Sequence, residues 1–135
     1  LLIEILPDYV AGQITPFPQD ESKATFTKMI SKDMARIDWR KSGDLIERQV
    51  RAYEGWPVAW TMLGHKILKI HSAKAGESKS ATGKPGEIQE TTKKLTVKCG
   101  EKSLEITSLQ PANGRKMTSQ EFIRGARGLL GITLG

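Results

Sequence analysis

Apolar residues follow two different rhythms along this chain, and the rhythm changes across residues 48–61. Before the change, Leu45, Ile46, Val50 and Tyr53 recur at close to helical spacing, with Glu47, Arg48 and Arg51 largely outside the stripe. Ser42 is placed to cap this helix, and Asp44 stands in its first turn, where a carboxylate suits the helix dipole. Gly55 suits a left-handed residue at the helix end, and Pro57 prevents a restart. Beyond Pro57 the apolar residues come in short alternating runs. Residues 59–63 form one, closed by Gly64, and residues 66–73 form another, with Leu68 and Ile70 on one face and Lys69 and His71 on the other. Residues 86–90 open a third. In residues 94–99, Leu95, Val97 and Cys99 alternate with Lys94, Thr96 and Lys98, and Gly100-Glu101-Lys102 predicts a tight turn. Leu104 and Ile106 continue the alternation toward Leu109, where the register slips by one residue, as at a bulge. Thr118-Ser119-Gln120-Glu121 has the capping-box pattern, and Phe122, Ile123 and Ala126 supply the apolar face of the helix it starts.

The flanks are less regular. Leu2, Ile3, Leu6 and Val10 share one face, but Pro7 interrupts them, so two short helical pieces or the tail of a helix are expected, ended by Gly12. Residues 13–25 carry two prolines among mostly polar side chains and predict an extended strap. Residues 26–41 predict a short extended segment near Ile37-Asp38-Trp39. Residues 76–86 are polar and small and predict a mobile loop, and the glycine-rich residues 128–135 are expected to fray. Trp56 and Trp60 are expected in the core: burying one indole removes roughly 150–250 Å² from water, on the order of 4–6 kcal/mol before entropy. Exposed rings that stack on bases are the alternative. Five or so short strands, with one helix early and one late, predict a mainly β fold with helices. The best match is an OB-like antiparallel β-barrel preceded by an extended linker.

At 135 residues the chain is one domain with a tail or linker, large enough to fold without a metal or disulfide. Cys99 is the only cysteine, and His65 and His71 alone make a weak case for a metal. No run of 18 apolar residues occurs, so no membrane span is expected. The chain opens without methionine or a positive leader and is expected to be a fragment of a longer protein. Its net charge of +6 is uneven. Residues 1–22 carry four acids and no base, residues 23–51 eight bases against four acids, and residues 64–102 nine bases against four acids. The basic residues belong to the body of the domain, which points to a polyanionic partner, nucleic acid ahead of an anionic membrane. The candidate contacts are Arg48 and Arg51 on the helix, Lys66 and Lys69 on one strand, Lys94 and Lys98 on another, and Lys23, Lys28 and Lys32 in the strap. No nucleophile–base–acid set is recognisable. His71 is expected on a solvent-facing strand side, Cys99 in the core, and Asp38 in a turn contact. No glycine pattern cradles a phosphate. The residues alone describe a basic β-barrel binding module without its own catalysis.

The stretch Ser22-Lys23-Ala24-Thr25-Phe26-Thr27-Lys28-Met29-Ile30-Ser31-Lys32-Asp33, followed by Ile37-Asp38-Trp39, carries a family pattern. It continues in Glu47-Arg48-Gln49-Val50-Arg51-Ala52, Trp56-Pro57, Ala59-Trp60, Pro85-Gly86-Glu87-Ile88 and Val97-Lys98-Cys99-Gly100. Leu109-Gln110-Pro111, Arg115-Lys116-Met117 and Phe122-Ile123-Arg124-Gly125 complete it. In this order they resemble the linker and C-terminal domain of bacterial methionyl-tRNA formyltransferases. The resemblance implies that residues 1–12 are the end of the last helix of an N-terminal catalytic domain, 13–32 the linker, and 33–135 the C-terminal OB-like domain. It implies a cytoplasmic, monomeric parent that transfers a formyl group from 10-formyltetrahydrofolate to the amino group of initiator methionyl-tRNA. The folate site and the catalytic residues would lie in the N-terminal domain in cis, with no catalytic residue and no cofactor in this chain. Two positions depart from the family pattern: Glu54-Gly55 where it usually shows a pair such as Asn-Pro, and Val58 where it usually shows glycine. Two further readings stand beside this one. A related sugar or folate formyltransferase would use the domain structurally, and an independent single-strand-binding module would require exposed aromatics on the barrel.

Overall fold

The computed structural model describes residues 1–77 and 83–135, so residues 78–82 of the loop expected at 76–86 lie outside the described residues. Six strands form one antiparallel sheet: β1 (Ala59–Leu63), β2 (Lys66–Gly76), β3 (Ile88–Glu90), β4 (Leu95–Lys98), β5 (Ser103–Pro111) and β6 (Met117–Thr118). Their order is β1-β2-β5-β4-β3, with β6 paired to β5, and the sheet curls into the OB-like barrel that the alternating runs predict. The two-residue turn at Gly64-His65 sets the β1–β2 register: Ala59 faces Ile70, Trp60 faces Lys69 and Thr61 faces Leu68. Ala59, Thr61, Leu68 and Ile70 are buried, so this row lies inside the barrel. Between β2 and β5 the pairing shifts twice, between Ile70 and Ser72 and between Ser72 and Ala73. The shift lets Ile106 and Leu109, three residues apart, both enter the core, as the slip near Leu109 predicts.

Among the described residues there are three α-helices, of which α2 and α3 pack on this sheet. α1 (Leu2–Val10) runs unbroken through Pro7 and buries none of its residues, so of the two forms expected there the chain takes a continuous helix. α2 (Gly43–Ala52) begins at Ser42, whose side chain accepts from the Leu45 N–H at 3.4 Å, and packs Ile46 and Val50 against β2 and β5. α3 (Ser119–Gly125) starts with the complete Thr118–Glu121 capping box. No residue before Ala35 is buried. The chain joins the barrel where Arg36 bridges Trp60 and the Ile37 N–H donates to the Trp60 carbonyl at 2.8 Å.

Two expectations fail. The first concerns the tryptophans. The buried indole is Trp39, 4 % exposed, whose Nε1–H donates to the buried Thr61 Oγ1 at 2.9 Å and so satisfies both polar groups inside an apolar core. Trp60 is half-buried on the outer side of β1, where the hairpin register puts it. Trp56 is 60 % exposed because it sits on the outside of a tight turn. The Val58 N–H closes that turn onto the Tyr53 carbonyl at 3.0 Å, with Gly55 at φ +87 and Val58 at φ +66. Left-handed geometry at Val58 is one that glycine would adopt without strain. For a β-branched residue it costs roughly 1–2 kcal/mol, which burial of the side chain offsets.

The second failure is the C-terminal tail, which does not fray. The Ile88 N–H donates to the Ile132 carbonyl and the Gly131 N–H returns to the Ile88 carbonyl, both at 2.9 Å. The Leu134 N–H donates to the Gly86 carbonyl at 2.8 Å and the Gly135 N–H to the Met62 carbonyl at 3.1 Å. The tail therefore lies between β3 and β1 and closes the barrel, with Leu129 and Leu134 buried beneath it. Gly86, at φ +90, leaves no room for a Cβ, which would run into the Leu134 carbonyl. Glycine in the tail reads as flexibility in the sequence, but the open edges of β1 and β3 give its backbone partners.

Leu134→Ala is expected to cost about 2–4 kcal/mol in denaturant unfolding, as a large-to-small core change, where a frayed tail would show less than about 0.5 kcal/mol. Val58→Gly loses burial but relieves the left-handed backbone, so it is expected to cost only about 1 kcal/mol. A loss above about 3 kcal/mol in the same assay would show that no strain is relieved.

Candidate nucleic-acid interface

The outer face of the barrel inherits its residues from the same register that fills the core. Directly opposed residues in adjacent strands share one side of the sheet. Arg36 bridges Trp60, Trp60 faces Lys69, and Lys69 faces Gln110, which gives one continuous outer row across β1, β2 and β5. The Arg36 guanidinium lies over the Trp60 ring, 5.6 Å from its centroid, and the Trp60 Nε1–H donates to the Lys32 carbonyl at 2.8 Å. Trp60 is thus a fixed post between the end of the strap and the barrel. Gln110 is fixed too: its Nε2 donates to the Gly114 carbonyl at 2.9 Å, and its Oε1 lies 3.3 Å from His71 Nε2. Lys32, Arg36 and Lys69 are exposed around this row.

Ion pairing divides the cations into two classes. Lys23 pairs with Asp20 at 3.2 Å, Arg51 with Glu47 at 3.3 Å, and Lys94 with Glu105 at 2.8 Å. Arg40, Lys102 and Arg115 are likewise held, by Asp38, Asp44 and Glu121, each at 2.8 Å. Among the described residues, no ion pair engages Lys28, Lys32, Arg36, Lys41, Arg48, Lys66 or Lys69. The expected Lys94–Lys98 cationic face does not form. Lys98 is only 9 % exposed, because its backbone is sandwiched between Gly86 and Glu87 and the β4–β5 pairing. Lys94 borders a cleft that also holds Glu77, Glu90 and Glu105, so its surroundings are acidic. Lys66 and Lys69 lie on opposite faces of β2, with Lys66 at the hairpin end and only Lys69 in the outer row. Arg48 and Arg51 also point to different sides of α2: Arg48 borders a groove with Met34 and Lys41, and Arg51 borders one with His71. Lys28 is exposed in the strap. The structure therefore brings together Lys32 and Lys69 from the expected set and adds Arg36, which sequence reasoning missed. The Trp60–Lys69 part of the row was legible, because a two-residue turn at Gly64-His65 pairs these residues and turns both outward, but nothing in that turn points to Arg36.

Cys99 is buried, and burial pushes its thiol up to about 12, so it is inert at neutral pH. Among the described residues, no cluster of His, Cys, Asp and Glu is arranged to hold a metal. No helix of the described residues is long and apolar enough to cross a membrane.

A family model described as the formyl transferase C-terminal domain matches residues 29–127. The chain belongs to this family. Among curated proteins, the methionyl-tRNA formyltransferase of Methylococcus capsulatus is 40 % identical over 135 residues, covering all of this chain and 43 % of that protein. The methionyl-tRNA formyltransferase of Streptococcus thermophilus is 42 % identical over 126 residues, covering 93 % of this chain and 40 % of that protein. The chain thus spans about two-fifths of the curated relatives it matches. Among solved structures, HypX from Aquifex aeolicus in complex with tetrahydrofolic acid shares the fold, with a TM-score of 0.62 at 21 % identity over 96 % of this chain and 23 % of that one. In this formyl transferase C-terminal domain, the outer row and the strap end form one open cationic surface, while six cations elsewhere on the described residues are neutralised in pairs.

Two of those pairs set an acid limit. The Arg40 side chain, then its backbone N–H, holds the Asp38 carboxyl down at about 2 from an ordinary 3.8. The Thr118 backbone N–H, then Arg115 and the Thr118 hydroxyl, hold Glu121 down at about 2 from 4.5. Both folded values lie below the unfolded ones, so their stabilisation is fully present above about pH 4.5 and is lost as pH falls toward 2. Unfolding midpoints measured between pH 5 and 2 are expected to fall over this window, and less steeply in Glu121→Gln. An identical acid limb in the variant would contradict the capping-box assignment.

Proposed function

We propose that this chain is the tRNA-holding C-terminal part of a methionyl-tRNA formyltransferase. In this reading an N-terminal catalytic domain in cis transfers formyl from 10-formyltetrahydrofolate to the amino group of initiator methionyl-tRNA, in a monomeric cytoplasmic enzyme. The chain itself carries no catalytic residue. Family membership and the names of its relatives support the reading. The observation that carries it is the outer row of Arg36, Trp60 and Lys69, continued by Lys32, in which cations remain unneutralised beside an ordered aromatic. Such a row suits a phosphate backbone. Guanidinium and ammonium groups attract phosphate oxygens without reading bases, so they position the tRNA, and recognition of its identity falls to other contacts. Lys28 and Lys32 in the strap extend the positive surface toward the N-terminal side. Arg51, Lys23 and Lys94 contribute less, because each is already paired, and Lys98 is buried.

The second reading is a structural C-terminal domain in a related formyltransferase, favoured by recurrence of the fold in HypX at low identity. Binding of initiator tRNA against an acidic control polymer separates the two. With about three phosphates neutralised, log affinity is expected to fall with log salt at a slope of roughly −2 to −3. The double variant Arg36→Ala with Lys69→Ala is expected to flatten that slope by about one to two units, and Lys94→Ala to leave it unchanged. Equal affinity for the control polymer, or an unchanged slope in the double variant, would remove this surface as the tRNA-holding face.

A further inference from the structure

We propose that the groove along the open side of α2 seats one unpaired nucleotide of the bound tRNA, its base against Met34, Leu45 and Tyr53 and its phosphate against Arg48 and Lys41. This inference rests on the tRNA reading above and assigns a base-holding site within it. The groove has a volume of about 430 Å³, within the roughly 300–1,000 Å³ usual for small-ligand sites. Its apolar members are open to water: Leu45 on α2 is 51 % exposed and Met34, in the short turn at 33–35, is 45 % exposed, whereas Ile46 and Val50 of α2 are in the core. Exposed Leu45 therefore has no packing role in the barrel.

The walls are fixed before anything binds. Gln49 Nε2 donates to the Met34 and Arg36 carbonyls, both at 3.1 Å, and so ties the segment carrying Met34 to α2. The bond to the Arg36 carbonyl also sets the groove beside the outer row, to which Arg36 belongs. Charge then selects the occupant. The acids of α2 are engaged elsewhere: Asp44 by Lys102 at 2.8 Å and Glu47 by Arg51 at 3.3 Å. Arg48 adds only a weaker field at Asp44, as Lys41 does at Asp38, and neither has an ion pair among the described residues. An apolar floor with two available cations matches a nucleotide, which presents a flat ring and an anion together. It lies beside a face already suited to phosphates.

The test compares initiator tRNA with a fully paired RNA duplex as ligands of this chain, each titrated against salt. Leu45→Ala is expected to weaken tRNA binding about 5- to 10-fold at every salt concentration with an unchanged slope, and to leave duplex binding as in the wild type. Arg48→Gln is expected to flatten the tRNA slope by about one unit, and Arg48→Lys to restore it. If the wild-type chain binds tRNA and Leu45→Ala binds it equally well, the nucleotide site is refuted and the tRNA reading stands; the groove is then left to a protein surface. If Leu45→Ala weakens tRNA and duplex alike, the groove is not selective for an unpaired base and the proposal fails. If the wild-type chain binds no tRNA, the reading beneath the proposal falls with it.

Discussion

A curled sheet has two free edges, and this structure depends on how they are closed. Each buried backbone group left without a partner costs about 1–3 kcal/mol. Here β3 and β1 are not adjacent, yet neither edge is left open. Residues 131–135 run between them, exchanging bonds with Gly86 and Ile88 on one side and reaching the Met62 carbonyl on the other. The edge of β1 also receives the incoming chain through Arg36 and Ile37. The two ends of the domain therefore meet at one seam, and Trp39, bonded to Thr61, fills the core behind it.

Closure has a functional consequence because the pleat has only two sides. Once Ala59, Thr61, Leu68 and Ile70 are committed inward, Trp60 and Lys69 must face outward. The seam then brings Arg36 over Trp60 and Lys32 to its indole N–H. The cationic row is thus a by-product of barrel register, held by backbone pairing more than by its own side-chain contacts. Exposed ion pairs elsewhere contribute little stability each, but they remove cations from competition for a polyanion. Unpaired cations line the strap end, the outer row and one side of α2, although among the described residues Lys74, Lys84, Lys93, Lys116, Arg124 and Arg127 form no ion pair either.

Much of this was legible in the sequence. The strand runs, the slip near Leu109, the Ser42 cap of α2 and the Thr118–Glu121 capping box depend on local periodicity and on side chains that satisfy nearby backbone groups, and all are present. Failures came where a distant partner decides. The tail looks frayed until the edges of β1 and β3 supply its partners. Trp56 and Trp60 look like core by size, but turn geometry and hairpin register turn them out. Lys98 alternates as a solvent residue, yet the segment at 86–87 covers it. Arg36 went unnoticed because a single cation in an irregular stretch carries no periodic signal, and only tertiary contact sets it over Trp60.

Native-state hydrogen exchange tests the closed seam most directly, because it reads each backbone bond separately. The amides of Ile88, Leu134 and Gly135 are expected to exchange only through global opening, with free energies within about 1 kcal/mol of that for Ile70 in the centre of β2. Fast exchange of Leu134 and Gly135 with Ile70 still protected would mean that the tail is loose and the barrel open, and the outer row would lose the scaffold that aligns it.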